Sequence, residues 1–281
     1  MTVPSSLPSQ NVIGSPVTAA SFDEQVAQVV QWASNRLSKV VCVANVHMLV
    51  EALDDPSLTH ILHQADMVTP DGMPLVWMLK LLRRAPQDRV AGMDLMLSVC
   101  EAAQRDGISV YFLGSEQSVL DRINVRIRRD FPQLKVAGIQ PLPMIGFPIA
   151  VDQTVVDQVN DSGAGVVFLA LGCPKQEKWM AAYHGRINAV MLGVGGVFPV
   201  YAGLQLRAPE FIRSAGLEWL YRLVQEPRRL WKRYSKTIPP FIWLALRQLT
   251  KPGSAVRPAL LQAADLELPS QELVTSGQVR R

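Results

Sequence analysis

The sequence predicts an α/β fold: a Rossmann-like, mostly parallel sheet flanked by helices, followed by a helical, basic C-terminal appendage. Three observations carry this. Short apolar runs rich in β-branched residues alternate with segments of helical spacing from Val40 to Leu192, which argues for parallel strands joined by right-handed crossovers. The runs end in loop-forming residues at Asn45, Asp71, Gly114-Ser115, Gly172 to Gln176 and Gly193 to Gly196. Beyond Pro209 the pattern becomes helical, aromatic and basic, and no internal repeat interrupts it.

Taken in order, residues 1–11 are Ser/Pro-rich and expected to be flexible. Phe22, Val26, Val29, Val30 and Ala33 recur at helical spacing up to about Leu37. Ser21 before them, with Glu24 three residues on, forms a capping box. Val40 to Ala44 reads as a buried strand, and a short helix follows Asn45. Ala65 to Val68 leads into the turn Thr69-Pro70-Asp71-Gly72-Met73-Pro74, and Leu75 to Leu79 leads out as a helix. After a basic loop, Arg83 to Arg89, a helix starts near Asp94 and runs to about Arg105. Strands are expected at Val110–Leu113, Val136–Ile139, Val166–Leu171 and Ala189–Leu192, with helices to about Arg129, at Val151–Asn160 and at Glu177–His184. Pro239-Pro240 is expected to break the C-terminal helix. The domains are therefore a flexible 1–11, an α/β core 12–208, an appendage 209–250 and a disordered tail 251–281.

Composition narrows the class. The chain has 281 residues, 48% hydrophobic, enough for a sizeable core. Its net charge is +4, yet the stretch 207–251 holds ten Lys/Arg and three Glu, a local +7, leaving −3 for the rest. An anionic partner is expected at that segment. Cys42, Cys100 and Cys173 show no metal or disulfide spacing, as in a reducing cytosol. No secretory signal pattern is present. The apolar runs reach about nine residues, too few to span a bilayer.

All five loops can lie at the carboxyl edge of a parallel sheet, where ligands bind. Helix N-termini there offer unpaired N–H groups to an anion such as a nucleotide diphosphate. Gly114 and Gly195 would let the backbone approach it. Asp71, flanked by Gly72 and two prolines, has two readings: a general base, or an ordinary cap of the helix that follows. Asn45 is likewise a cap or a substrate ligand. Gln176 can donate and accept, which suits a sugar hydroxyl, and Arg89 can neutralise a phosphate. No Walker A occurs, and Gly193-Val194-Gly195-Gly196 lacks the third glycine of a dinucleotide fingerprint in register. His60 and His63 stand alone and read as solvated surface residues, so no metal site is expected.

Several stretches together resemble one family. In order they are Thr69 to Pro74, Arg89-Val90-Ala91-Gly92-Met93-Asp94-Leu95, Phe112 to Ser115, Leu171-Gly172-Cys173-Pro174-Lys175-Gln176-Glu177, Gly193 to Phe198, and Arg207-Ala208-Pro209. Last come Leu217-Glu218-Trp219-Leu220-Tyr221-Arg222-Leu223 and Glu226-Pro227-Arg228-Arg229. The set, covering roughly Asn11 to Tyr234, resembles the WecG/TagA/CpsF glycosyltransferases, glycosyltransferase family 26. The resemblance implies an inverting transferase, independent of metal or cofactor. Such an enzyme moves a sugar from a UDP-sugar to a polyprenyl-diphosphate-linked saccharide, in cell-surface polysaccharide synthesis. By that likeness Asp71 is the general base, and Asn45, Arg89 and Gln176 bind substrate. The appendage docks on the cytoplasmic face of the membrane, making the protein cytoplasmic and peripherally associated. Where the family often has Thr two residues before the Asn, this chain has Val43, which hints at a donor other than N-acetylmannosamine.

Without a metal, a departing diphosphate needs arginines. Arg222, Arg228, Arg229 and Arg233 are the expected clamp, although Glu218, four residues before Arg222, is placed to pair with it. Apolar rings beside Lys/Arg between Leu217 and Leu246 suit a membrane interface, with core packing as the plainer alternative. No nucleic-acid module accompanies the basic segment, so nucleic acid is not an expected partner. Self-association into a homo-oligomer is compatible with this reading. Two other functions remain: a nucleotide-cofactor oxidoreductase, with Glu210 or Glu218 holding a ribose, and a non-catalytic binder of lipid-linked saccharide.

Overall fold

The computed structural model describes residues 7–142, 146 and 148–250, so the expected tail lies outside the described residues. A hairpin of β1 (Ser9–Val12) and β2 (Ser15–Thr18) precedes α1 (Phe22–Ser34), β3 (Lys39–Ala44), α2 (Val46–Asp54) and α3 (Pro56–Gln64). Next come β4 (Met67–Pro70), α4 (Met73–Arg83), α5 (Gly92–Asp106), β5 (Ser109–Gly114), α6 (Gln117–Asp130) and β6 (Lys135–Gln140). They are followed by α7 (Gln153–Asp161), β7 (Val166–Ala170), α8 (Lys175–Tyr183), β8 (Val190–Gly193) and α9 (Val197–Tyr201). The chain ends in α10 (Glu210–Ser214), α11 (Glu218–Gln225) and α12 (Pro227–Thr250).

Strands β3 to β8 form one parallel sheet in the order β4-β3-β8-β7-β5-β6. Side chains alternate across it with the period of two that a strand dictates. Val40, Cys42 and Ala44 of β3 face one core with Met48, Leu58, Leu75 and Trp179. Val41 and Val43 face the other with Val29, Leu95, Ile123 and Phe198. Helices α2, α3, α4, α7, α8 and α12 thus cover one face, and α1, α5, α6 and α9 the other. Burial on both faces explains why the strands are unbroken apolar runs. The Ser21–Glu24 capping box is present as expected.

Two expectations are corrected. Residues 9–11 are not a flexible lead-in but the strand β1, in register with Pro16 to Thr18. Ile13 and Gly14 turn the hairpin with positive φ of 44° and 98°, the geometry a two-residue hairpin loop demands. Gln248 holds that turn from α12, accepting from Ile13 N–H at 2.9 Å and donating to the Asn11 carbonyl at 2.8 Å. Pro239-Pro240, for its part, does not break the C-terminal helix, which runs through both residues. The carbonyls left without donors belong to Ser235 and Lys236, which are exposed and can be hydrated.

The far half of α12 is part of the core. Phe241, Leu244 and Ala245 are buried in the same cluster as Met48 and Leu49 of α2. Its outer face leaves Trp231, Ile242, Trp243 and Leu246 exposed. No helix among the described residues is long and apolar enough to cross a membrane.

Candidate active site

The five loops that follow β3, β4, β5, β7 and β8 lie at the same edge of the sheet, as the parallel topology requires. Asp71 stands directly after β4, its backbone N–H bonded to the Ala44 carbonyl of β3 at 2.9 Å. Its side chain does not cap α4. The N-cap is Gly72, with no side-chain cap hydrogen bond, so the capping alternative fails. The carboxylate turns instead toward Arg89, whose guanidinium lies 3.5 Å from Oδ1 and donates from Nε to the Asp71 main-chain oxygen at 2.6 Å. Arg89 also pairs with Glu218 of α11 at 2.5 Å. Glu218 in turn holds Arg222 at 3.3 Å, the pairing their spacing foretells.

These groups line a cleft with Ala91, Gly92, Met93, Val197, Val200 and Arg207. The appendage closes it. Gly216, just before α11, sits so close to α4 that an added Cβ would stand 3.1 Å from Met73. Burial pushes the Asp71 pKa above the ordinary carboxylate value; Arg89 opposes the shift and Glu218 adds to it. Burial works against the charge of Arg89, but the Asp71 and Glu218 carboxylates hold its pKa above the usual arginine value.

Asn45 lies beside this turn, 3.8 Å from where a Cβ on Gly72 would stand. It is a cap: its Oδ1 accepts from Met48 N–H at 3.2 Å. Its amide nitrogen has no partner among the described residues and is left to donate. A Cβ on Gly195, after β8, would stand 3.0 Å from Gln176 Oε1, and Gln176 donates to the Gly193 carbonyl at 3.1 Å. Gly114 has a structural duty, since a Cβ there would meet the Ala170 oxygen at 2.7 Å.

The expected arginine clamp is only partly assembled. Arg222 lines the cleft. Arg228 is exposed and stands outside that lining, and the Arg229 side chain lies outside the described residues. Arg233 faces elsewhere, acting on His47 and Cys173. The cleft's other cation is Arg207, which pairs with Asp94. Among the described residues, the arginines that line the cleft with Asp71 are therefore Arg89, Arg207 and Arg222.

Sequence reasoning gave no role to Glu177 or His47. Glu177 is fully buried and its pKa is pushed up to about 7 by burial. His47 is pushed down to about 4 by burial, with Arg233 adding to the shift. The signal for Glu177 was helical spacing: it shares a face with buried Met180 and Tyr183. His63, expected to be solvated, hydrogen-bonds the Gly14 carbonyl at 2.9 Å. Among the described residues no His/Cys/Asp/Glu group is arranged to hold a metal ion.

A family model described as the glycosyl transferase WecG/TagA/CpsF family matches residues 10–255. The chain belongs to the WecG/TagA/CpsF glycosyltransferase family. It is 35% identical over 208 residues to the N-acetylglucosaminyldiphosphoundecaprenol N-acetyl-beta-D-mannosaminyltransferase of Bacillus spizizenii, covering 74% of this chain and 78% of that one. To the enzyme of the same name from Bacillus subtilis it is 30% identical over 219 residues, 77% and 82% of the two chains. Membership of the WecG/TagA/CpsF family sets aside the oxidoreductase and the non-catalytic binder. The geometry agrees: the Gln176 side chain packs against the loop that a dinucleotide would need, and Glu218 is held by two arginines rather than free for a ribose.

Proposed function

We propose that this glycosyltransferase moves N-acetylmannosamine from a UDP-linked donor to a saccharide carried on polyprenyl diphosphate, at the cytoplasmic face of a membrane. The single observation behind the mechanism is the Asp71 carboxylate at the tip of β4, in a cleft ringed by Arg89, Arg207 and Arg222. The acceptor hydroxyl attacks the anomeric carbon while Asp71 takes its proton. A pKa raised by burial makes Asp71 a stronger base than a solvated aspartate. The displaced UDP carries its negative charge toward the arginines, which stand where a metal ion would otherwise be needed.

One displacement inverts the anomeric carbon. The cleft encloses about 30 Å3, room for a water or two. Donor entry therefore requires α11 to release Arg89, after which Arg89 and Arg222 can exchange the Glu218 carboxylate for phosphate oxygens.

The relatives' names support N-acetylmannosamine as the sugar and a GlcNAc-diphosphoundecaprenol acceptor. Val43, which hinted otherwise, is buried in the core beneath Gly92, 3.3 Å from where a Cβ there would stand. Its side chain supports the cleft floor, so the missing hydroxyl argues little about the donor. Membrane docking is supported by the exposed Trp231, Trp243 and Leu246 of α12 beside Lys232, Lys236 and Arg247.

Replacing Asp71 with Asn tests the proposal. Sugar transfer is expected to fall by a factor on the order of 10² to 10⁴ while UDP-sugar binding persists. Full turnover by Asp71→Asn would sink the base assignment, and a panel of UDP-sugars assayed for UDP release tests the donor.

A further inference from the structure

Gln176 and Glu177 form a buried polar pair behind the Gly193–Gly196 loop. The Gln176 amide nitrogen carries two hydrogens. One goes to Glu177 Oε1 at 2.7 Å and the other to the Gly193 carbonyl at 3.1 Å. The Gly193 oxygen can only accept, so it fixes which end of the amide faces it. The other end, Oε1, has no partner among the described residues although Gln176 is only 4% exposed.

A buried acceptor left unpaired costs about 1–3 kcal/mol, and in a native site it calls for an explanation. The direction it faces supplies one. A Cβ on Gly195 would stand 3.0 Å from Gln176 Oε1, and Gly195 has a positive φ of 45°. Glycine at that position keeps a side chain from covering the oxygen, which is itself buried in this structure.

We propose that Glu177 is a positioning residue. Together with the Gly193 carbonyl it takes up both amide hydrogens of Gln176, leaving Oε1 as a dedicated acceptor for a hydroxyl or N–H group of the donor substrate. This rests on Gln176 being a substrate-binding residue of the site described above. A side chain able to rotate would accept or donate; this one only accepts. It therefore discriminates against a donor presenting a bare acceptor at that point. The pairing does not depend on the charge of Glu177, because a protonated carboxyl retains a carbonyl oxygen that accepts.

The test uses four variants of the full chain: Glu177→Met, Glu177→Gln, Gln176→Leu and Gly195→Ala. KM and kcat are measured with UDP-N-acetylmannosamine, Kd with UDP alone, and folding by circular dichroism. Glu177→Met exchanges a desolvated carboxyl for an apolar side chain of similar length, which favours folding. It is expected to raise KM about tenfold, the loss of one hydrogen bond, with kcat retained. Glu177→Gln keeps an accepting oxygen and is expected to restore the wild-type KM, which a merely structural role would not require. A parallel rise in the Kd for UDP places the recognised hydrogen on uridine; an unchanged Kd places it on the sugar. Both support the proposal. Wild-type KM in Glu177→Met, with KM raised in Gln176→Leu, overturns the positioning role and spares the role of Gln176. Wild-type kinetics in Gln176→Leu overturns both. Should Glu177→Met fail to fold, Gly195→Ala decides: its methyl blocks the approach to Oε1, so an unchanged KM refutes the proposal.

Discussion

Two buried groups near the carboxyl edge of the sheet should make stability respond to pH in opposite directions. Glu177 is pushed from an ordinary value of 4.5 up to about 7 by burial. Between those values the folded protein holds a proton that the unfolded chain has lost, so stability falls as pH rises. The shift of about 2.5 pH units corresponds to about 3 kcal/mol, fully present below pH 4.5 and lost by the time pH passes 7. His47 behaves conversely. Burial pushes it from 6.5 down to about 4. Between those values the unfolded chain is protonated and the folded chain is not, so stability rises with pH up to 6.5 and is lost as pH falls through 4. Its contribution is smaller than the Glu177 term, because the side chain keeps some contact with water.

Over pH 4.5 to 7 the two slopes largely offset each other, and the wild-type profile should be shallow. Removing either group unmasks the other. In urea titrations from pH 4.5 to 8, Glu177→Gln should show stability rising with pH by roughly 3 kcal/mol relative to wild type. His47→Leu should show it falling relative to wild type, by a smaller amount. The raised pKa of Asp71 adds a further falling component, common to both variants. Profiles of both variants that run parallel to the wild type across the range would refute the linkage.

Three further outcomes are expected. Arg89→Leu removes the cation that opposes burial at Asp71, so the acidic limb of kcat/KM should move to higher pH; a limb moving to lower pH would contradict the electrostatics. Phe241→Ala, distant from the cleft, should cost about 3–5 kcal/mol of stability because α12 is built into the core; a loss under about 1 kcal/mol would make the helix a separable add-on. Replacing Trp231 and Trp243 together with Ser should reduce flotation with anionic vesicles while leaving stability within about 0.5 kcal/mol. Unchanged flotation would count against that face as the membrane surface.

Much of the fold was legible because strands buried on both faces must be apolar throughout, and helices covering them must be apolar at helical spacing. Val40–Ala44 and Val166–Leu171 announce themselves that way. The N-terminal hairpin did not. Its turn is Ile13-Gly14, and a β-branched residue at positive φ is a poor turn former by itself. Tertiary contacts hold it, namely Gln248 from the far end of the chain and His63 from α3. The continuous α12 was hidden for a related reason: two prolines cost a helix its local hydrogen bonds, but Thr237, Phe241 and Leu244 are buried on either side of them. At the site, Asp71 was visible from its turn, whereas which arginines meet it depends on long-range packing. Arg207 reaches the cleft through its pairing with Asp94, and Arg233 leaves it for His47.

Arg89 joins the turn after β4 to the appendage. Its Nε fixes the main chain of Asp71, while one terminal nitrogen, Nη2, is shared between the Asp71 and Glu218 carboxylates. A guanidinium is planar and its donors point in set directions, so satisfying the backbone oxygen dictates where the remaining donors can aim. They aim at the space that α11 now fills with Glu218. An anion in that space balances Arg222 and the part of the Arg89 charge that Asp71, 3.5 Å away, does not meet. In the closed molecule that anion is the Glu218 carboxylate. In the proposed mechanism the diphosphate of the donor meets the same requirement during turnover, and Asp71, the proposed proton acceptor, is held one guanidinium away from it.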